Sequence, residues 1–298
     1  MGDCLSHTNR ICQDRGHMTN DPNQEPETGP MRAHRYVAGY SPATIQHYTR
    51  RTVACQAAFI LTHLRSGMTL LDCGCGPGTI TIGLAHTVAP GLVVGIDIEP
   101  QVVERARVLG WEQGVSTVHF HVASSFALPF AAGSFDAVFA HTLLQHLSRP
   151  ISALKEMGRV LKSGGVIGIR TVDHGGRMIV PANQGLDEYY DLHERIWTHH
   201  GSDLRLGRHL RSLLRQAGFI RIEGSASYDY AGTLAETRAF ALAQIARIKS
   251  TPAFHEAIDA GWVDQPTLEK MMVAWQEWGE HPDAFHALAM CEVVGWKG

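Results

Sequence analysis

Three glycines at alternate positions, Gly74, Gly76 and Gly78, stand in the stretch LLDCGCGPGTI, directly behind an apolar run that begins at Leu70. Glycine at that density marks a backbone that turns tightly, and a turn feeding a helix presents amide N–H groups to a polar ligand that must approach closely. Asp97 lies 19 positions beyond Gly78, at the end of LVVGIDI, where a carboxylate can accept hydrogen bonds from both hydroxyls of a ribose. The other use open to Asp97 is as a cap for the helix that starts at Pro100, a duty Glu99 could share. Further on, Ser124, Ser125 and Phe126 in VASSFALPF supply small residues and an aromatic ring, a flat apolar slot suited to a purine. Turn, carboxylate and slot together describe a nucleoside pocket. The glycine spacing is G-x-G-x-G, and Thr79 occupies the place where a dinucleotide fingerprint wants its third glycine.

A second group of residues is suited to moving a proton. His141 ends the apolar run FDAVFAH and His146 follows five residues later. Imidazole titrates closest to neutral pH, which makes it the side chain best matched to general-base work. With 18 histidines in the chain most have ordinary roles, and His146 is the one singled out as a base. No metal site is expected. Cys73 and Cys75 are too tightly spaced for a C-x-x-C knuckle, and the adjacent His199 and His200 have no companion ligand motif. Trp262, Trp275, Trp278 and Phe285 read as core, and Met271 and Met272 with Trp275 and Trp278 fit either the core of a lid or an apolar substrate wall.

These residues need elements to hold them. Apolar strands are expected at TLLDCG, LVVGIDI, VHFHVA, FDAVFAH and VIGIRTV, and between them GTITIGLAHTVA, PQVVERARVLGWEQG and PISALKEMGRVLKSG carry helical patterns. Such alternation means βαβ units and a mostly parallel α/β sheet covered on both faces, which binds ligands at the carboxyl ends of its strands. A first helix is expected from Ser41, with Pro42 at its first turn, to about Leu64. After the fifth strand come a helix over 185–199, an amphipathic helix in LRLGRHLRSLLRQAGF, a strand IRIEGSASYDY and a final strand HALAMCEVVGWK. Cap elements over about 176–200 and 233–283 are long enough to cover a site. Residues 1–33 lack hydrophobic periodicity and are expected to be a disordered tail preceding a domain over 34–298, with Met18 and Met31 as alternative starts.

Composition narrows the function further. Lys and Arg number 26 against 29 Asp and Glu, for a formal charge of −3, and there is no basic run, so a nucleic-acid partner is not expected. The chain is 44% hydrophobic yet has no apolar stretch long enough to span a membrane and no signal-peptide core, which predicts a cytoplasmic globular protein with reduced cysteines. A homo-oligomer is compatible with these features.

The motifs LLDCGCGPGTIT, VVGIDIEP, ALPFAAGSFDAVFAHTLLQHL and EMGRVLKSGG, in this order across residues 35–175, resemble the class I S-adenosylmethionine-dependent methyltransferases, in particular the ubiquinone/menaquinone C-methyltransferase-like branch. The resemblance implies a Rossmann-like, doubly wound, seven-stranded sheet, mostly parallel with the last strand antiparallel, and a helical cap inserted before that strand. It implies S-adenosyl-L-methionine as cofactor and S-adenosyl-L-homocysteine as product. Asp72 and the Gly74, Gly76 and Gly78 turn would hold the methionine part, Asp97 the ribose, Ile98 the adenine face, and His141 would shape the methionine pocket. Where family members often carry an acidic residue for the adenine amino group this chain has Ser124, so that contact would pass to the Ser125 and Phe126 backbone. Tyr40 and Ser41 match a pair that closes over the cofactor in related enzymes, and equally fit a helix cap with one packed aromatic. The expected partner is a small, largely apolar acceptor of quinone, phenol or natural-product type, methylated on carbon or oxygen. A protein that binds S-adenosylmethionine without turnover and a nicotinamide-dependent oxidoreductase are the alternatives.

Overall fold

The computed structural model describes Val37, Gly39, Ile45 and residues 48–298, which belong to one compact unit. The tail over 1–33 and the pair Tyr40 and Ser41 lie outside the described residues.

Seven strands form one sheet: β1 (Leu70–Cys73), β2 (Val93–Asp97), β3 (Val118–Val122), β4 (Phe135–His141), β5 (Leu161–Val180), β6 (Phe219–Ala231) and β7 (Phe285–Lys297). Their order is β3-β2-β1-β4-β5-β7-β6. Strands β1 to β5 pair in parallel, and β7 runs antiparallel to both β5 and β6. Successive side chains of the central strands alternate between two buried layers. Leu70, Val93 and Phe139 enter one apolar cluster, whereas Leu71, Val94 and Val138 enter the other. A strand buried on both sides gains from apolar residues at every position, which explains the continuous hydrophobic runs in the sequence.

Helices α1 (Val53–Gln56), α2 (Ala58–Leu61), α3 (Thr79–Val88) and α4 (Pro100–Glu112) cover one face. Helices α5 (Pro150–Val160) and α7 (Leu210–Gln216) cover the other. The remaining helices, α6 (Gln184–His199), α8 (Leu234–Ser250), α9 (Pro252–Asp259) and α10 (Gln265–Glu280), share a third apolar cluster with Val172 and Met290 of the sheet. This third layer is the cap.

Three expectations need correction. The first helix does not run unbroken to Leu64: after Tyr48 and Thr49 the backbone leaves helical geometry over 50–52, and the Thr52 hydroxyl accepts from Cys55 N to start α1 afresh. Gly176–Val180 is not cap. It prolongs β5, with Met178, Ile179 and Val180 pairing with β7 beyond an irregularity after Asp173. Phe285 is not core but 36% exposed, stacked on Tyr230. By contrast, Met271, Trp275 and Trp278 are at most 3% exposed in the cap interior, and Trp278 Nε1 donates to Val180 O at 2.8 Å, tying α10 to the end of β5.

Candidate functional site

The chain leaves β1 and, after β3, crosses back to β4 on the opposite side of β1, so the order of the strands switches between β1 and β4. Open α/β sheets leave a crevice at such a switch, at the carboxyl ends of the strands. Gly74, Gly76 and Gly78 sit there with φ of 77°, 53° and 86°, all in the left-handed region. Gly74 N and Cys75 N both donate to Ile96 O, at 2.8 and 2.9 Å, which folds the turn back over β2.

The three glycines are required for different reasons. A Cβ on Gly78 would lie 2.9 Å from both Ala106 Cβ and Phe120 Cζ, so this position lets α3 and α4 pack against β3. A Cβ on Gly74 would press on Leu143, 3.2 Å away, where the chain leaves β4. Among the described residues, a Cβ on Gly76 would meet no atom within 4 Å. The space beside Gly76 is therefore open to a ligand.

Asp97 is coupled to this turn. Its carboxylate accepts from Gly76 N and from Glu99 N, each at 3.1 Å. Burial raises its pKa, against the lowering effect of these backbone donors. Glu99 itself caps α4, its side chain accepting from Gln101 N, so Asp97 does not serve as the cap. Ile98, next in the chain, is 61% exposed. Asp72 lies beneath the turn, 2% exposed, with Oδ2 accepting from the Thr81 hydroxyl at 2.7 Å. Burial, with a smaller contribution from Asp97, raises its pKa to about 7 despite that bond. Ser124 Oγ accepts from Phe126 N at 3.2 Å, Ser125 is buried, and the Phe126 ring lies 5.4 Å from the Arg149 guanidinium.

His141 is buried at the end of β4. Its Nε2 lies 3.0 Å from Arg170 Nη1 and its Nδ1 3.3 Å from the Thr142 hydroxyl. Arg170 also donates to Glu292 and Asp229, at 3.1 and 2.7 Å. Burial and the adjacent Arg51 and Arg170 hold His141 well below the usual imidazole range, so it is a neutral member of an internal network. Arg51, at the break before α1, reaches the same place by donating to Thr142 Oγ1 at 3.2 Å.

His146 ends a single 3-10 turn, Leu144–His146, and its Nδ1 lies 3.3 Å from Ser202 Oγ. It lines a cavity of about 270 Å³ formed where the cap closes over β4, β5 and β7. The same cavity is lined by residues the motifs do not reveal: His174 from β5, Tyr190, His193 and Trp197 from α6, Phe240 and Arg247 from α8, and His286 from β7. One signal was legible, since Tyr190, His193 and Trp197 are spaced to share one face of a helix. Asp173 fixes the strand beside His174 by bonding Arg208 Nε and Nη2, both at 2.7 Å, and Gly175 N at 2.9 Å. Among the described residues no group of three or more His, Cys, Asp or Glu could hold a metal ion, and the described cysteines are free. No described helix is long and apolar enough to cross a membrane.

Comparison with known proteins bears on this geometry. A family profile described as a methyltransferase domain matches residues 64–218. The chain is 30% identical over 282 residues to a protein named "Probable methyltransferase ltbC" from Aspergillus luteorubrus, covering 88% of this chain and 97% of that one. It is 30% identical over 173 residues to the demethylmenaquinone methyltransferase of Lactococcus lactis, covering 53% of this chain and 68% of the relative. Among solved structures, the YcgJ protein of Bacillus subtilis superposes with a TM-score of 0.53 at 18% identity, covering 85% of this chain and 99% of that one. With the switch-point turn, the Asp97 clamp and the profile match in agreement, the chain belongs to the methyltransferase-domain family and is an S-adenosylmethionine-dependent methyltransferase of class I.

Proposed function

We propose that the enzyme methylates a small, largely apolar aromatic acceptor of phenol or quinone type, on oxygen or carbon, held in the cavity beside His146. The observation that carries this reading is the cavity itself, lined by cap aromatics and imidazoles beside the end of β4 and the middle of β5.

The residues at the glycine turn fit S-adenosylmethionine. The open side of Gly76 accommodates a chain that must lie against the backbone. Each Asp97 oxygen accepts one backbone bond, and a carboxylate has about four acceptor sites, so capacity remains for ribose hydroxyls. Exposed Ile98 offers an apolar face to the adenine, and the Ser124–Phe126 segment the opposite edge. Gly74, Gly78 and Asp72 act on this ligand through the shape of the turn, and His141 through Thr142 and Arg170.

When bound, S-adenosylmethionine supplies a methyl group already activated by a sulfonium, and S-adenosylhomocysteine remains after its transfer. The chain's own task is to align the acceptor, exclude water and accept a proton where the acceptor carries one. His146 is suited to the last step. Its imidazole lines the cavity, and its Nδ1 lies 3.3 Å from Ser202 Oγ, which fixes the ring beside the place proposed for the acceptor. The cap keeps water out through its interior packing around Tyr189 and Trp275, both fully buried.

The test is transfer of a labelled methyl group to a panel of phenols, quinones and amines, with wild type beside His146→Gln. Phenols or quinones are expected to be labelled and amines not. Tight binding of S-adenosylhomocysteine with no transfer to any member would instead favour a protein that only binds the cofactor.

A further inference from the structure

Thr142 is the residue at which the chain leaves β4, and its backbone is unusual. Its φ is 49°, in the left-handed region, where a β-branched side chain is strained. Two contacts hold it there. Its N–H donates to Arg170 O at 2.8 Å, next to the His141–Arg170 pair that ends the β4–β5 ladder, and Arg51 Nη1 donates to its hydroxyl at 3.2 Å. Strain that the surroundings keep in place is characteristic of sites that present a group to a ligand. The group presented here is the hydroxyl. Thr142 and Arg51 both line the cavity beside His146, while His141 and Arg170, at 6% and 1% exposure, stand behind it in the sheet.

The hydrogen bonds fix which way this hydroxyl can act. A guanidinium only donates, so Arg170 Nη1, 3.0 Å from His141 Nε2, requires a lone pair on that nitrogen. A neutral imidazole with its lone pair on Nε2 carries its hydrogen on Nδ1, in keeping with the lowered pKa of His141. That Nδ1–H lies 3.3 Å from Thr142 Oγ1 and donates to it. Oγ1 thus accepts from His141 on one side and from Arg51 on the other, which uses both of its lone pairs. Its own hydrogen has no acceptor among the described residues. The carboxylates of Glu292 and Asp229, accepting from Arg170 at 3.1 and 2.7 Å, anchor the series from within the sheet. At the wall of the cavity stands a hydroxyl that can donate but not accept.

Resting on the reading of this cavity as the acceptor site, we infer that Thr142 is a specificity-determining residue, whose hydroxyl donates a hydrogen bond to an oxygen of the acceptor and cannot receive one from an amine. The oxygen lone pairs of a phenol or a ketone satisfy it. An aromatic amine does not, because its nitrogen lone pair is drawn into the ring and its N–H bonds need an acceptor. A donor left unpaired in a closed cavity is costly, so the preference arises by rejection as well as by attraction.

The test is titration calorimetry on the enzyme saturated with S-adenosylhomocysteine, so that no turnover is needed. The probes are 1-naphthol and 1-tetralone, which carry an oxygen acceptor, and 1-naphthylamine, which does not. The wild type should bind each oxygen probe about fivefold or more tightly than the amine, the size expected of one neutral hydrogen bond. Thr142→Val keeps the β-branch, and with it the shape, but removes the hydroxyl, and should bring the affinities to within about twofold of one another. Thr142→Ser, which retains the hydroxyl, should restore the preference. Thermal unfolding of both variants identifies a folding defect, and the wild-type ranking of oxygen against amine stands without them. Equal binding of all the probes by the wild type overturns this inference and leaves the aromatic-acceptor reading standing. So does a preference that survives in Thr142→Val, and a loss of S-adenosylhomocysteine affinity in that variant would then assign the hydroxyl to the cofactor. Binding of S-adenosylhomocysteine but of none of the probes overturns both.

Discussion

Gly76 and Gly78 stand two residues apart in the same turn, and replacing each by alanine should break different things. Both have positive φ, 53° and 86°, so a Cβ at either costs about 1–2 kcal/mol in backbone strain. At Gly76 nothing more is lost among the described residues, because the added methyl meets none of their atoms within 4 Å. At Gly78 the methyl lies 2.9 Å from Ala106 Cβ and Phe120 Cζ, and these neighbours are 0% and 4% exposed. Overpacking of that kind adds about 1–3 kcal/mol. Gly76→Ala should therefore lower Tm by only a few degrees, and Gly78→Ala by about twice as much, at about 2 °C per kcal/mol for a large domain. Ligand affinity should follow the opposite order. The methyl on Gly76 fills the space proposed for the methionine part and should weaken S-adenosylhomocysteine binding by about tenfold or more, equivalent to about 1.4 kcal/mol. Titration calorimetry and thermal unfolding on both variants provide the readouts. If Gly76→Ala binds S-adenosylhomocysteine as the wild type does, the open side of Gly76 is not where the cofactor lies. If Gly78→Ala unfolds no earlier than Gly76→Ala, the packing argument fails.

Asp97→Ala should weaken S-adenosylhomocysteine by about 1.5–3 kcal/mol, the range for hydrogen bonds to a charged group, and amide exchange at Gly76 and Glu99 should accelerate because both N–H donors lose their acceptor. Unchanged affinity would remove Asp97 from the ribose site. His146→Gln should lower kcat by roughly a hundredfold or more with S-adenosylhomocysteine affinity unaltered, and an unchanged kcat would exclude it as the base. Asp72 carries a pH signature: its pKa is raised from 3.8 to about 7 in the fold, so stability at this position is complete below pH 4 and declines by about 4 kcal/mol as pH rises to 7. Unfolding of Asp72→Asn across that range should lack this decline. His174 acts in the opposite sense, since its pKa falls from 6.5 to about 4, and stability complete above pH 6.5 should be lost by about 3 kcal/mol as pH falls to 4. His174→Phe should flatten that acid limb, and an identical limb would place the titration elsewhere.

The glycine turn, Asp97 and the alternation of strands and helices were legible in the sequence because each is a local matter. A positive φ demands glycine at its own position, a carboxylate at the end of β2 falls beside the turn that follows β1, and apolar periodicity reports burial within one element. Such features survive translation into residue spacing. The separate reasons for Gly76 and Gly78 were not legible, because they depend on whether Phe120 and Ala106, distant in the chain, occupy the space beside them. The extension of β5 was likewise hidden: residues from 176 on read as the start of the cap, and only pairing with β7, from the far end of the chain, draws Met178–Val180 into the sheet. The cavity beside His146 is the extreme case. His174, His193, Phe240, Arg247 and His286 come from β5, α6, α8 and β7, and no spacing links a strand to helices that reach it only through the fold. Sequence by itself determined the α/β fold class and the glycine turn with Asp97 beside it, since these follow from local geometry and periodicity. Tertiary structure alone decided the cavity beneath the cap, because the shape and lining of a cavity belong to the surfaces that close around it.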